Sequence, residues 1–188
     1  MKNKWYKLNN HILLIIMFLL FSCGDDDSKK EWGNALIYMP QAALRDGGIT
    51  NVYPVPFVTN PTSTNHKVEA DKNLLHVYLS VYRSGLQPLE SFSVQIAVDA
   101  AATVTAAAST TNGIAMPDGA YTLPAQITVP KGEREAIFYL TVDMNKLDED
   151  FSSNRIVLVV GISNPSKYEL NEKLCKTTVV IDGSVFLK

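Results

Sequence analysis

Apolar and polar residues alternate with a period of two along three long runs of this chain. The apolar positions are Leu75, Val77, Leu79 and Val81 in the first run, Phe92, Val94, Ile96 and Val98 in the second, and Ala136, Phe138, Leu140 and Val142 in the third. Successive side chains of a β-strand point to opposite faces of a sheet, so each run gives one buried and one wetter face. This pattern predicts sheets that each turn one face to a core.

Further runs complete the predicted sheets. Residues 156–162 are apolar on both faces, which is typical of a central strand, and residues 177–181 are all β-branched and predict a final strand. Shorter candidate strands lie at 35–39 and 127–129. Turn-forming residues separate the runs at Asp46-Gly47-Gly48, Ser84-Gly85, Pro117-Asp118-Gly119, Pro130-Lys131-Gly132 and Asn164-Pro165.

Six to eight short strands without alternating helices predict an all-β fold, an immunoglobulin-like antiparallel β-sandwich, with a closed barrel as the alternative. Residues 45–68 carry three prolines and little periodicity, and we interpret them as a long connection with one edge strand. Residues 100–108 are the one candidate helix, and a strand or loop fits them equally well. The predicted core includes Phe92, Val94, Phe138, Leu140 and Leu158.

The first 22 residues have the pattern of a signal peptide. Three lysines precede an unbroken apolar run of ten residues, 12–21, about half the length that spans a bilayer as a helix. The run ends in Leu20-Phe21-Ser22-Cys23, which resembles the lipobox of bacterial lipoproteins. The resemblance implies cleavage before Cys23 and acylation of that residue, and two or three acyl chains hold a protein firmly on a membrane.

Polar residues follow the lipobox. The segment 24–30 is low in complexity and predicts an unstructured tether. Asp25, Asp26 and Asp27 directly after Cys23-Gly24 resemble the acidic surface-export signal of Bacteroidetes lipoproteins, which implies an outer-membrane protein exposed on the cell surface. We therefore divide the chain into a lipoprotein signal peptide (1–22), a lipidated acidic tether (23–32) and an Ig-like β-sandwich domain (33–188).

The net charge and the cysteine content argue against several classes of function. Removing residues 1–22 takes away three of the 17 basic residues and none of the 19 acidic ones, leaving a net charge of −5. A chain without a basic patch is a poor partner for nucleic acid. If Cys23 is acylated, Cys175 has no cysteine partner within the chain, so no internal disulfide is expected. A lone cysteine without a nearby histidine is more often a passive small residue than a nucleophile.

The sequence shows no pattern that predicts a catalytic or metal-binding site. His66 and His76 are the only histidines after the signal peptide, and no Gly-x-Ser-x-Gly motif occurs. Asp143, Asp148, Glu149 and Asp150 cluster around a predicted turn, where a Ca²⁺ site is one alternative and a solvated turn the favoured one. We expect no enzyme activity, no metal and no cofactor.

Aromatic residues mark the one candidate ligand site. Tyr78 and Tyr82 lie four residues apart on the wetter face of one predicted strand, together with His76 and Ser80, and Tyr139 joins them if the neighbouring strand pairs there. A row of exposed aromatic rings can stack against sugar rings, although such a row more often packs beneath a loop or against a helix. We take Tyr78, Tyr82 and Tyr139 as candidate ligand-binding residues.

Several segments together resemble a known family. They are IYMPQA at 37–42, MPDGAYTLP at 116–124 leading into ITVPKGE at 127–133, FYLTVD at 138–143, RIVL at 155–158 and YELN at 168–171. They are similar to the Ig-like N-terminal domain of unknown function of Bacteroidetes surface lipoproteins, often linked to polysaccharide utilisation. Some members precede a glycoside hydrolase or a glycan-binding domain, and we expect none here because the sequence stops at Lys188.

The family resemblance implies a non-enzymatic role at the cell surface. It favours an accessory or glycan-binding module in extracellular polysaccharide utilisation, held to the membrane by its N-terminal lipid. The alternative is a structural or adhesive surface protein whose partners are proteins, including other surface lipoproteins. The exposed edges of a sandwich can accept a strand from such a partner.

Overall fold

Two six-stranded sheets face each other across an apolar core in the computed structural model of the chain. The structure describes residues 35–42, 44–45, 48–60, 63–85, 89–147 and 149–187, which fall in one compact unit, Gly33–Lys188. The predicted all-β, Ig-like sandwich is confirmed. Cys23 and residues 25–27, with the rest of the predicted signal peptide and tether, lie outside the described residues.

Sixteen strands are described, most of them short. In chain order they are β1 (Leu36–Tyr38), β2 (Leu44–Arg45), β3 (Gly48–Ile49), β4 (Val52–Val55), β5 (Val58–Asn60), β6 (Ser63–Thr64), β7 (His66–Glu69), β8 (Leu74–Arg83), β9 (Phe92–Val98), β10 (Gly113–Ala115), β11 (Tyr121–Thr122), β12 (Gln126–Val129), β13 (Glu135–Asp143), β14 (Arg155–Ser163), β15 (Glu169–Leu170) and β16 (Lys176–Asp182). The helices are α1 (Ala100–Ser109), α2 (Gly183–Phe186) and 3-10 turns at Pro40–Ala42, Met144–Lys146 and Glu149–Ser153.

The strand order places the longest strands at the centre of each sheet. The first sheet runs β11-β13-β8-β1-β15, and β7 also pairs with β8. The second sheet runs β12-β9-β14-β16-β4, and β10 also pairs with β14. The long pairs are antiparallel as predicted, whereas β1 with β15, β10 with β14 and β4 with β16 are parallel.

Period-two alternation places the predicted core residues between the sheets. The inward positions of β8 and three of those of β13, Phe138, Leu140 and Val142, have at most 4% exposure, and Phe92, Val94 and Leu158 of the second sheet are equally buried. Strand β14 is buried on both faces because α1 covers its outer side, where Ala107 packs against Val157 and Val180. The apolar run at 156–162 is therefore a central strand, as the sequence predicts.

The ambiguous segment at 100–108 is helical. Asp99 caps α1 by accepting a hydrogen bond from the Ala102 amide at 2.9 Å. Thr103 is buried, and its hydroxyl donates to the Asp99 carbonyl and accepts from the Val159 amide at 2.9 Å. A threonine that weakens a helix by propensity thus ties this one to the sheet.

Residues 45–68 contain more structure than predicted. Strand β4 lies at the edge of the second sheet and includes Pro54, as expected of a proline-bearing edge strand. The interpretation of the remainder as a connection is wrong, because β5, β6 and β7 also lie there. These strands have two to four residues each, too few for a period to show in the sequence.

Candidate functional site

The outer face of the first sheet brings Tyr78 and Tyr139 together. Strands β8 and β13 pair with Tyr139 directly opposite Tyr78, and the two rings meet edge to face with centroids 5.3 Å apart. The His76 ring, which also belongs to β8, lies 6.3 Å from the Tyr139 ring. Tyr139 is 49% exposed although its partners are half-buried, so this part of the face is open to a ligand.

Tyr82 joins a different partner, Tyr38, which the sequence did not mark. Strand β1 pairs with the end of β8, so Tyr38 lies opposite Tyr82 with ring centroids 5.3 Å apart. Burial, aided by the nearby Tyr82 and Glu135, raises the pKa of Tyr38 above its usual value. The Tyr38 phenol is therefore a neutral hydroxyl at physiological pH. We call Tyr38, Tyr78, Tyr82 and Tyr139 the tyrosine face.

Gln41 separates the two tyrosine pairs. Its side-chain amide nitrogen donates to the Ser80 hydroxyl at 3.1 Å, and its oxygen accepts from the Ser80 amide at 3.3 Å. This contact satisfies the β8 backbone between the stretches paired with β7 and β1. Ser80, predicted on the wetter face, is consequently buried. The tyrosine face is thus two aromatic pairs on either side of a fixed polar contact.

A polar cluster borders the tyrosine face beside Tyr78. His76 hydrogen-bonds through Nδ1 to the Thr141 hydroxyl at 3.0 Å and through Nε2 to Glu69 at 3.2 Å. Lys72 donates to the other oxygen of Glu69 at 2.6 Å. Hydrogen bonds from Lys72 and His76 lower the pKa of Glu69, so this carboxylate stays ionised. These groups can donate to and accept from sugar hydroxyls at the rim.

A groove of about 530 Å³ continues from Tyr139 along the edge of β13, within the range of small-ligand sites. Its floor is the outer side of β13, where Ile137 is 61% exposed. Its other wall is formed by Thr122, Leu123, Pro124, Gln126 and Ile127. Strand β11 pairs only with Thr141 and Val142, so residues 135–139 have no strand partner on that side among the described residues.

Other predicted features take structural roles. The Asp143 carboxylate accepts from the Asn145 amide and side chain at 3.1 Å, and Glu149 begins a 3-10 turn, while Asp148 lies outside the described residues. Burial raises the pKa of the Cys175 thiol. No three potential metal-binding side chains cluster within the described part of the chain. Among those residues, too, no helix has the length and apolar character needed to span a membrane.

The comparisons with known proteins agree with this fold. Residues 49–169 match a family model described as a "-like, N-terminal domain". The chain belongs to this family of N-terminal domains. A comparison with curated protein sequences found no match.

Solved structures of Bacteroides proteins share the fold. A Bacteroides ovatus protein of unknown function has a TM-score of 0.53 and 17% identity, covering 78% of this chain and 46% of its own. A second, described as a candidate carbohydrate-binding protein of Bacteroides ovatus ATCC 8483, has a TM-score of 0.50 and 12% identity, covering 78% of this chain and 36% of its own. A two-domain protein of unknown function from Bacteroides fragilis NCTC 9343 has a TM-score of 0.50 and 13% identity, covering 79% of this chain and 45% of its own.

The chain spans less than half the length of each of these proteins. None of the three is described as an enzyme. The family match and these relatives confirm the resemblance to an N-terminal domain of unknown function from Bacteroidetes.

Proposed function

We propose that this N-terminal-family domain is a non-catalytic accessory module that binds glycan at the tyrosine face. The observation that carries the proposal is the meeting of Tyr78 and Tyr139 at 5.3 Å beside a groove of about 530 Å³. Its polar rim supplies the hydrogen-bonding groups that a sugar needs. The similar Bacteroides ovatus protein described as a candidate carbohydrate-binding protein supports this ligand class.

The geometry favours weak binding. The tyrosine rings meet edge to face or tilted, not coplanar, so one sugar ring can stack on the open side of Tyr139 and contact the rim. A shallow platform of this kind supports a dissociation constant of about 1 mM, or about 4 kcal/mol. Many copies side by side on a surface raise the effective affinity through multivalency.

Membrane attachment belongs to the same proposal. A lipid on Cys23 would fix the domain at the outer membrane, and Asp25, Asp26 and Asp27 would direct it to the cell surface. External protease added to intact cells should then remove the domain, and replacing the three aspartates with alanine should protect it. Full protection of the unmutated protein would contradict surface exposure.

Affinity electrophoresis of the whole chain against plant, host and microbial glycans tests the binding site. Tyr139→Ala should abolish retardation by the recognised glycan, and Tyr139→Phe should keep it, because the ring and not the hydroxyl provides the stacking surface. Val104→Ala truncates an exposed side chain on α1 and serves as the control. Binding that survives Tyr78→Ala and Tyr139→Ala, or no binding to any glycan, would contradict the proposal.

One observation favours the alternative of a protein-binding role. The edge at 135–139, which has no strand partner on that side among the described residues, carries the exposed Ile137, and such an edge can accept an extended strand from a partner. Ile137→Lys should then abolish capture of a stoichiometric protein partner.

A further inference from the structure

A second cleft lies on the opposite side of the sandwich, against the outer face of the second sheet. It has a volume of about 470 Å³ and is bounded by the carboxyl end of α1, by β4 and by the end of β16. Its lining divides into apolar groups from Val52, Pro54, Val55, Pro56 and Val180, hydroxyls from Ser109, Thr110 and Thr111, and the charged Arg155 and Asp182. We call it the arginine cleft.

Strand register places the two charges side by side. Arg155 of β14 is paired with Asp182 of β16. The Gly183 amide donates to the Asn154 carbonyl, so the adjacent Arg155–Asp182 pair is the close, non-hydrogen-bonded kind. The two side chains nevertheless form no ion pair. Asp182 turns one oxygen to cap α2, accepting from the Ser184 amide at 3.1 Å and the Ser184 hydroxyl at 2.7 Å.

The Arg155 guanidinium is consequently available. It is exposed and has no ion pair or side-chain hydrogen bond with any described residue. A guanidinium presents a planar fork of N–H donors that matches a carboxylate in a bidentate contact. The cleft therefore offers a cationic site for a carboxylate on the Arg155 side.

The remaining groups of the cleft accept hydrogen bonds. The second oxygen of Asp182 is free of the α2 cap. The Ser109 and Thr110 hydroxyls donate to helix carbonyls at 2.9 and 2.8 Å, which leaves their oxygens as acceptors. The carboxyl end of α1 adds partial negative charge. A ligand here must donate from hydroxyls on one side and carry its negative charge on the other.

We propose that the arginine cleft binds a carboxylate-bearing sugar, such as a hexuronic acid unit of an acidic polysaccharide. The carboxylate lies on Arg155, the sugar hydroxyls donate to Asp182 and the α1 oxygens, and the apolar sugar face packs on Pro54 and Pro56. The cleft and the tyrosine face lie on different sheets. The inference therefore stands even if the tyrosine face binds no ligand.

Calorimetric titration of the whole chain in detergent with trigalacturonic acid tests the proposal. The acid should bind, and its methyl ester, which has the same hydroxyls but no charge, should bind at least about tenfold more weakly. Arg155→Ala should weaken binding of the acid by the same factor. Arg155→Lys should be intermediate, because it keeps the charge and loses the fork.

Two matched variants distinguish binding in the arginine cleft from general charge attraction and from binding at the tyrosine face. Lys131→Ala removes one exposed positive charge outside the cleft and should leave the affinity unchanged. Tyr139→Ala alters the tyrosine face and should also leave it unchanged. Equal affinities for acid and ester, no effect of Arg155→Ala, loss of binding in Tyr139→Ala, or no binding of the acid would each overturn the proposal. Unchanged thermal unfolding of Arg155→Ala shows that the variant is folded.

Discussion

Phe138 lies in the middle of β13 and contributes to the packing between the two sheets. It is 4% exposed and lies opposite Leu79 of β8. Truncation to alanine removes most of a buried ring and leaves a cavity, so Phe138→Ala should lower the free energy of unfolding by about 3–5 kcal/mol in urea titrations. Its neighbour Ile137 points outward, so Ile137→Ala should change stability by less than about 0.5 kcal/mol. Equal losses would mean that the assignment of the two faces is wrong.

His66 makes stability depend on pH. Its ring packs edge to face on Phe186 at 5.0 Å, and burial lowers its pKa below the usual 6.5. The folded state then binds fewer protons than the unfolded state between the lowered pKa and 6.5, so the free energy of unfolding falls as the pH drops through that window. His66→Gln removes the titrating group and should flatten this dependence in unfolding experiments between about pH 7.5 and pH 5.5. An unchanged slope in the variant would contradict the assignment.

The sequence predicted those residues of the tyrosine face whose partners lie on long strands. Tyr78 and Tyr139 share a face because β8 and β13 each carry several periods of alternation, although their register came only from the structure. Tyr38 was not predicted because β1 has only three residues, too few to show a period. Its place beside Tyr82 depends on a pairing between segments that are distant in sequence. Gln41 was not predicted either, because its contact with Ser80 also joins segments that are distant in sequence.

Helix α1 depends on the Asp99 side chain at its amino end. The Asp99 carboxylate accepts from the Ala102 amide at one oxygen and pairs with Lys176 at 2.8 Å through the other. The helix has no acidic residue in its first turn and no basic residue in its last, so little else offsets its dipole.

Replacement of Asp99 should separate the two contacts. Asp99→Ala should lower the free energy of unfolding by about 1 kcal/mol, mainly through the lost cap. Asp99→Asn keeps the cap and loses the partly exposed ion pair, and should therefore cost less. Thermal unfolding of both variants measures the difference. Equal losses for the two variants would show that the ion pair, and not the cap, stabilises α1.

The length of a strand determined whether it could be predicted from the sequence. Strands of seven to ten residues, β8, β9, β13, β14 and β16, show their period or composition plainly. Strands of two to four residues leave no pattern of their own, and some, such as β7, pair with a longer neighbour. The helix could not be separated from a loop because the Thr103 contact to β14 is a tertiary feature.

The whole molecule presents two different surfaces on its two sheets. The tyrosine face offers aromatic stacking beside an open strand edge, and the arginine cleft offers a cation beside hydroxyls. A module with two weak sites for one polymer gains affinity when both are occupied at once. Neutral and acidic glycan chains should therefore distinguish the sites, and a mixed polymer should bind more tightly than either alone.

Anchoring at a membrane would bring many copies of such weak sites together. The Leu20-Phe21-Ser22-Cys23 pattern predicts that Cys23 is acylated, and more than one acyl chain gives stable attachment. Cys23→Ala should abolish incorporation of a metabolic lipid probe and move the protein from the membrane to the soluble fraction. Cys175→Ala is the matched control, because it removes the other cysteine and should leave labelling intact. A Cys23→Ala protein that still labels and sediments with membranes would show that the anchor lies elsewhere.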